Sequence, residues 1–430
     1  MQLNRSTFTG APTCADDIIL MAPTPHELQG QIDIVYQYAC QERYIIHPGK
    51  TQVVTYHANQ DANLKLGENP IPIVPIITHL GVDRYENDTQ PEGYIEDKIA
   101  MARRAAYSLM GAGFHGINGQ PPIVSRKMYT TYVLPRLLYG LDSIIISRRQ
   151  LEKMEVFHRG ILRAIQSLPD RVSNAALHLL LGILPIQGLL DLRILSLAWR
   201  ITSLKENPLH LIALRQLSTK KIQSKSWFIY VDAKLDMYGL PTLLELLQST
   251  VTKTHWYTLC HKAVHNHWDD LLKGQASKLS SLRFVNIEKC STSKPHIVWK
   301  GIKCAREARR AIIRARLLTG SFTLQGNRAR FNQYQVNATC IICKTAAEDR
   351  KHFMLECPAL ETVRTRFMPL ILHASQLQDL TRSVHEVQDL LDTSHLKSLK
   401  YDKLMRNYVF ALSDARTVIL NSITEQEGAE

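Results

Sequence analysis

Apolar residues along the chain follow two rhythms. Up to about residue 85 they come in short β-branched runs, YIIH, TQVVTY and IPIVPIITHLGV, cut by Pro, Gly and Asn, which predicts short strands and hairpins. One stretch departs from that pattern: Leu28, Ile32, Val35 and Ala39 recur at helical spacing and predict an amphipathic helix from His26 to Glu42. From Gly93 to about residue 320 the spacing is helical throughout, as in Ile95, Ile99, Ala102 and Leu109, or Leu151, Met154, Phe157, Ile161 and Ile165. Pro121, Pro122, Pro135, Pro169 and Pro185 punctuate the series. The expected class is α+β, a small unit of short antiparallel strands plus a helix, followed by a mainly α-helical region.

Composition narrows the class of partner. The 430 residues, 45% hydrophobic and 21% charged, describe a folded rather than a disordered chain. Lys and Arg total 52 against 39 Asp and Glu, a surplus of +13 that favours a polyanion, although a basic surface kept for solubility has the same composition. The densest apolar stretch, LHLLLGILPIQGLLDLRILSLAW, is broken by Pro185 and Gly188 and carries Asp191 and Arg193, so it reads as a buried helix pair. No basic head with an apolar core opens the chain. The expectation is an intracellular protein of the nucleus or cytoplasm, neither secreted nor membrane-spanning.

Of eight cysteines, Cys340, Cys343 and Cys357 cluster, and His352 falls between them in CIICKTAAEDRKHFMLEC. Two thiolates in a tight turn, with an imidazole and a third thiolate flanking about one helical turn, form a closed tetrahedral set suited to structural Zn²⁺. Whether such a knuckle touches nucleic acid or only clasps the fold is open at this point. Just upstream, WKGIKCAREARRAIIRARLLTG places Lys303, Arg306, Arg310 and Arg314 on one helical face. Arg309 and Arg316 widen the band, and Arg328 and Arg330 follow. This stripe is a candidate for nucleic-acid phosphates, with a merely solvated face as the alternative. Trp299, Phe322 and Tyr334 are candidates for base stacking or for ordinary packing.

The segment TCADDIILMA sets Asp16 and Asp17 side by side near a predicted hairpin tip, where paired carboxylates repel unless a cation neutralises them. CADDIIL resembles the [FY]ADD motif of reverse transcriptases, with Cys14 where an aromatic residue is usual. The helix and YIIHPGKTQVVTY, including Lys50 and Thr51, resemble the next block, and THLGVDRY resembles the primer-gripping block, with His79 replacing its aromatic. KMYTTYVLPRLLYGLDSI, LEKMEVFHRGILRAIQSLP and NAALHLLLGILPI look like the thumb and connecting helices, and the HFMLECP texture looks like the CCHC knuckle, of LINE-type (non-LTR retrotransposon) enzymes.

That resemblance implies a partial polymerase palm over 1–90, a helical thumb and connection over 91–205, a helical linker with the basic helix over 206–325, a zinc knuckle over 326–365 and a helical tail over 366–430. It implies Asp16 as a Mg²⁺ ligand, Asp17 as an accessory carboxylate, Lys50 as the neutraliser of leaving pyrophosphate, and an RNA and DNA template/primer duplex as partner. An ordinary hairpin lysine is the other reading of Lys50. Only fifteen residues precede Asp16, and the family draws its fingers and another metal-binding Asp from upstream, so the expected function is an RNA-directed DNA polymerase part that is inactive alone. The alternative is a zinc-stabilised RNA/DNA-binding protein of retrotransposon origin.

Overall fold

The computed structural model describes residues 11–56, 63–86, 92–203, 208–220, 224–249, 251–330, 335–376, 387–395 and 398–427. Three hairpins and one helix come first: β1 (Thr13–Cys14), β2 (Asp17–Ile18), α1 (Pro25–Gln41), β3 (Lys65–Leu66), β4 (Asn69–Pro70), β5 (Ile76–His79) and β6 (Val82–Tyr85). Then come α2 (Glu92–Ser108), α3 (Pro122–Met128), a π-helical turn at Tyr129–Val133, α4 (Leu134–Leu138), α5 (Arg148–Gln166), α6 (Asn174–Leu181) and α7 (Ile186–Ser203). The series continues with α8 (Pro208–Thr219), α9 (Trp227–Met237), α10 (Leu243–Gln248), α11 (Lys253–Ser277), α12 (Ala305–Leu318) and α13 (Gln325–Arg330). After a second π-helical turn at His352–Glu356, α14 (Glu361–Gln376), α15 (Val387–Leu391) and α16 (Leu399–Glu427) end the chain.

Two compact units interleave along the sequence. The first comprises residues up to Asp97, Leu138–Gln150 and Arg193–Leu259; the second comprises Lys98–Leu137, Leu151–Leu192 and everything from Cys260 onward. In the first unit, α1 starts one residue before its expected position because Thr24 accepts the Glu27 N–H and Pro25 needs no donor partner at the first helical position. Ile32 of this helix packs with Leu64, Leu66 and Ile71, and Leu20, Leu28, Ile46 and Val53 border the cluster. Gly67 turns the β3–β4 hairpin with φ +62, and the Tyr36 ring lies where any side chain there would begin.

The strands are shorter and less connected than the β-branched runs predict. Among the described residues they form three separate two-stranded antiparallel sheets. The YIIH and TQVVTY runs are not strands: Pro48–Lys50 is a 3-10 turn, and Val53 makes only a single parallel bridge to Ile73. The physical reason lies opposite them, where Pro70, Pro72 and Pro75 remove every second or third N–H from the segment that would extend the ladder. The β5–β6 hairpin is better braced, since the Tyr139 hydroxyl donates to the Leu80 carbonyl at its tip at 2.7 Å.

The second unit is a helical assembly, and its spacing was legible. Met154, Phe157, Ile161 and Ile165 of α5 are buried, as are Ala175 through Leu181 of α6. Gly182 ends α6 at φ +68, with the Lys294 backbone 2.2 Å from the place a Cβ would take, so only glycine fits. A buried ladder crosses this core: the Tyr129 hydroxyl meets His158 Nδ1 at 2.7 Å, and His158 Nε2 meets the Leu184 carbonyl at 3.1 Å. A carbonyl only accepts, so Nε2 carries the proton and the tyrosine donates to Nδ1; burial, with nearby His178, holds His158 well below its usual range. Among the described residues no single helix is long and apolar enough to cross a membrane.

Candidate metal centre

The knuckle begins with backbone geometry. An antiparallel bridge between Thr339 and Ala347, with Cys340 N–H donating to the Ala346 carbonyl at 2.8 Å, folds the chain back on itself, and Lys344 takes a left-handed φ of 56 at the bend. The amides of Ile342 and Cys343 turn toward the Cys340 sulfur. Across from them the turn at His352–Glu356 starts where Asp349 accepts the His352 N–H at 2.8 Å, and it ends at Cys357.

These two pieces gather four donor atoms. A tetrahedral ion with metal–sulfur bonds of about 2.3 Å holds its ligand atoms roughly 3.4–3.8 Å apart. Cys340 Sγ and Cys357 Sγ are 4.0 Å apart, Cys343 Sγ and His352 Nε2 are 3.2 Å apart, and all four donor atoms lie within 4.8 Å of one another. The set is close enough to hold a metal ion. Cys340, His352 and Cys357 are buried, so the arrangement is closed and leaves a substrate no route to the ion.

Protonation follows the environment of each thiol. Burial pushes Cys357 up to about 12 and raises Cys340 as well. Burial acts on Cys343 in the same direction, but hydrogen bonds from Thr345, Cys340 and His352 outweigh it and hold that thiol at about 6. A bound cation would displace the protons of the other two thiols.

The knuckle is anchored on every side. Glu348 is buried, takes a two-pronged contact from Arg416 at 2.7 and 3.0 Å, and accepts the Gln325 N–H at 2.7 Å. Arg350 donates to the Leu317 carbonyl at 2.9 Å and lies over the Phe284 ring. Phe353 packs on Phe322 with ring centres 5.6 Å apart, the Tyr408 hydroxyl donates to the Met354 carbonyl, and Arg364 donates to the Cys357 carbonyl. None of these anchors is legible in the spacing of the ligands.

The basic stripe upstream is split in two. Lys303, Arg306 and Arg309 near the start of α12 are exposed, as are Arg328 and Arg330 in α13. Arg314 corrects the expectation of a continuous cationic face. It is fully buried, ion-paired to Asp402, and its remaining donors reach the Leu391 carbonyl and Thr393. Arg316 is likewise engaged, with Nε and Nη2 at 3.0 and 2.7 Å from the Ser167 carbonyl. Arg310 reaches Asn407 at 2.7 Å and lies over Phe410. The cause is tertiary: α16, packed along α12, supplies Asn407 to Arg310 and Asp402 to Arg314, while Ser167 after α5 takes Arg316. Lys403, at 3.0 Å from Glu307, is an exposed cation beside this surface that the sequence reading did not single out. Trp299 is buried and donates to Gln166 at 3.1 Å, so base stacking is excluded for it; Tyr334 lies outside the described residues.

Asp16 and Asp17 sit on an exposed hairpin whose two-residue turn, Ala15–Asp16, has Ala15 at φ 55. Lys50 is exposed in its own 3-10 turn. The two loops border the same small apolar cluster through Leu20 and Ile46. Among the described residues the Cys340 set is the one group in which three or more His, Cys, Asp or Glu side chains gather in metal-binding range, so no third ligand joins the aspartates. No protein-family profile matches the chain, and no curated protein is significantly similar to it.

Proposed function

We propose that this chain is a zinc-organised nucleic-acid-binding part of a LINE-type reverse transcriptase, running from the palm's Asp-Asp hairpin to the C-terminal knuckle. The observation that carries the reading is the gathered Cys340, Cys343, His352 and Cys357 set, three thiolates and one imidazole, the donor chemistry of structural Zn²⁺. Its place in the chain supports the lineage, because it follows the Asp-Asp hairpin, a helix, a braced hairpin and a helical region in the order the resemblance implies. A further support is the second face of α1, where Ile34 is 68% exposed and Tyr38 55%, apolar surface that a palm helix covers with another layer.

Within this reading the polymerase centre is incomplete in the chain by itself. Two Mg²⁺ ions need several carboxylates around both the attacking and leaving oxygens, and Asp16 and Asp17 alone do not form such a cradle. The purified chain is therefore expected not to extend a primer on an RNA template with Mg²⁺ and deoxynucleotides. Extension abolished by Asp16→Ala would overturn this point and establish a working centre.

RNA and DNA would be held through the exposed cations. Replacing Lys303, Arg306, Arg309 and Arg330 together with glutamine is expected to weaken binding of labelled RNA or DNA. It should also reduce the slope of log affinity against log salt by about 3, since each phosphate contact contributes about 0.7–0.9. An unchanged slope in fluorescence anisotropy titrations would remove these residues from the interface. Should binding persist while polymerase lineage fails, the chain is a zinc-stabilised binder, a reading favoured by the lack of a third ligand beside Asp16 among the described residues.

A further inference from the structure

We propose that a hollow beside α11 in the second unit is a phosphate-binding pocket, a site that goes beyond the function proposed above and does not depend on it. The hollow has a volume of about 520 Å³ and is lined by Arg126 from α3, His261, Lys262 and His265 from α11, and Ser291 and Ser293 from the following loop. His261, His265 and Asp269 are spaced four apart, so they share one face of α11.

The hydrogen bonds around Asp269 fix the state of His265. Thr292 donates both its N–H and its hydroxyl to Asp269 Oδ1, each at 2.7 Å. A threonine hydroxyl has one proton, so the 2.7 Å contact between Thr292 Oγ1 and His265 Nδ1 requires Nδ1 to be the donor. In the neutral ring His265 Nε2 then carries the lone pair, so it accepts a hydrogen bond from a ligand rather than donating one. Both Thr292 bonds fall on one oxygen of the Asp269 carboxylate, which lines the hollow together with the cationic Arg126 and Lys262. A metal site of His261, His265 and Asp269 does not follow, because these three do not gather in ligating range.

Arg126 supplies the anion-seeking group. It donates Nη2 to the Gly182 carbonyl at 2.6 Å, which fixes the guanidinium in place. Its Nε is buried without an acceptor, and burial lowers its pKa, the mark of a cation held out of water. Among the described residues no carboxylate pairs with it. A half-buried guanidinium and an ammonium favour an oxyanion; the Ser291 and Ser293 hydroxyls are bonded to each other at 2.8 Å and keep one proton for it, while His265 Nε2 accepts the P–O–H of a hydrogen phosphate, a donor that an ionised carboxylate lacks. A hydrogen phosphate, free or as the monoester at the end of a nucleotide or strand, supplies both the acceptor oxygens and that hydroxyl.

The test uses the full metal-loaded chain with histidine rings isotopically labelled, titrated with inorganic phosphate, a nucleoside monophosphate or a short single-stranded RNA. Phosphate-bearing probes are expected to shift the His261 and His265 resonances. Arg126→Gln should weaken that response roughly tenfold, the size of one lost charged hydrogen bond. Lys262→Gln, at an exposed position that folding does not need, should weaken it several-fold and decides the matter if the arginine variant does not fold. Response to inorganic phosphate identifies a free anion as sufficient; response to RNA alone identifies the strand. Both outcomes support phosphate chemistry. No shift with any probe, or shifts that Lys262→Gln and a folded Arg126→Gln leave unchanged, would overturn the pocket.

Discussion

Stripping the metal from the Cys340–Cys357 cluster, or replacing Cys357 with serine, is expected to unfold the C-terminal part of the second unit. A closed thiolate-rich zinc site contributes on the order of 10 kcal/mol to a small fold, as much as the whole stability of a typical domain. The loss here reaches past the knuckle, because its turn presents Phe353 to Phe322 and Met354 to Tyr408. With the ion gone, only the surrounding hydrogen bonds and packing keep the buried sulfurs of Cys340 and Cys357 at 4.0 Å. Elemental analysis should find one zinc per folded chain and none in Cys357→Ser. A chelator should lower the melting temperature sharply, whereas Cys14→Ser, an exposed thiol far along the sequence, should not. A melting curve indifferent to the chelator would sink the zinc assignment.

Breaking the Arg314–Asp402 pair comes next in size. Both side chains are fully buried and Asp402 also holds Arg406 at 3.0 Å, so removing Asp402 strands two buried guanidiniums, whereas removing Arg314 leaves Asp402 one counter-ion. Asp402→Ala is expected to cost about 3–5 kcal/mol in urea unfolding, and Arg314→Ala less. The triple variant Arg314→Met, Arg406→Met, Asp402→Leu should cost less than Asp402→Ala, because it removes all three charges and keeps most of the volume. Unchanged stability in Arg314→Ala, together with weakened RNA binding, would return this residue to the nucleic-acid face.

The contrast between Arg314 and Arg306 marks where sequence reading ends. Both lie on the cationic stripe of one helix, and local spacing treats them alike. Their fates differ because Asp402, 88 residues away, meets only one of them. The ligand set was legible because its four donors fall within one short segment, where turn geometry alone brings them together. Helix α1 was legible because its apolar period and its Thr24-Pro25 start agree. The strands were overread: β-branched composition signalled a ladder, but the prolines opposite removed its donors. The phosphate pocket had no local signature, since Arg126, α11 and Ser291 meet only through the folded second unit.

The grip of α16 on the knuckle has a consequence for how the protein is made. Cys340 to Cys357 can charge with metal as soon as they leave the ribosome, but Arg416 and Tyr408, which latch Glu348 and Met354, belong to the final long helix. Until that helix is synthesised, the loaded turn waits with Phe353 and Met354 wet. Translation stopped short of it would yield a metal-bearing but sticky product, a substrate for chaperones and proteases rather than a smaller working protein.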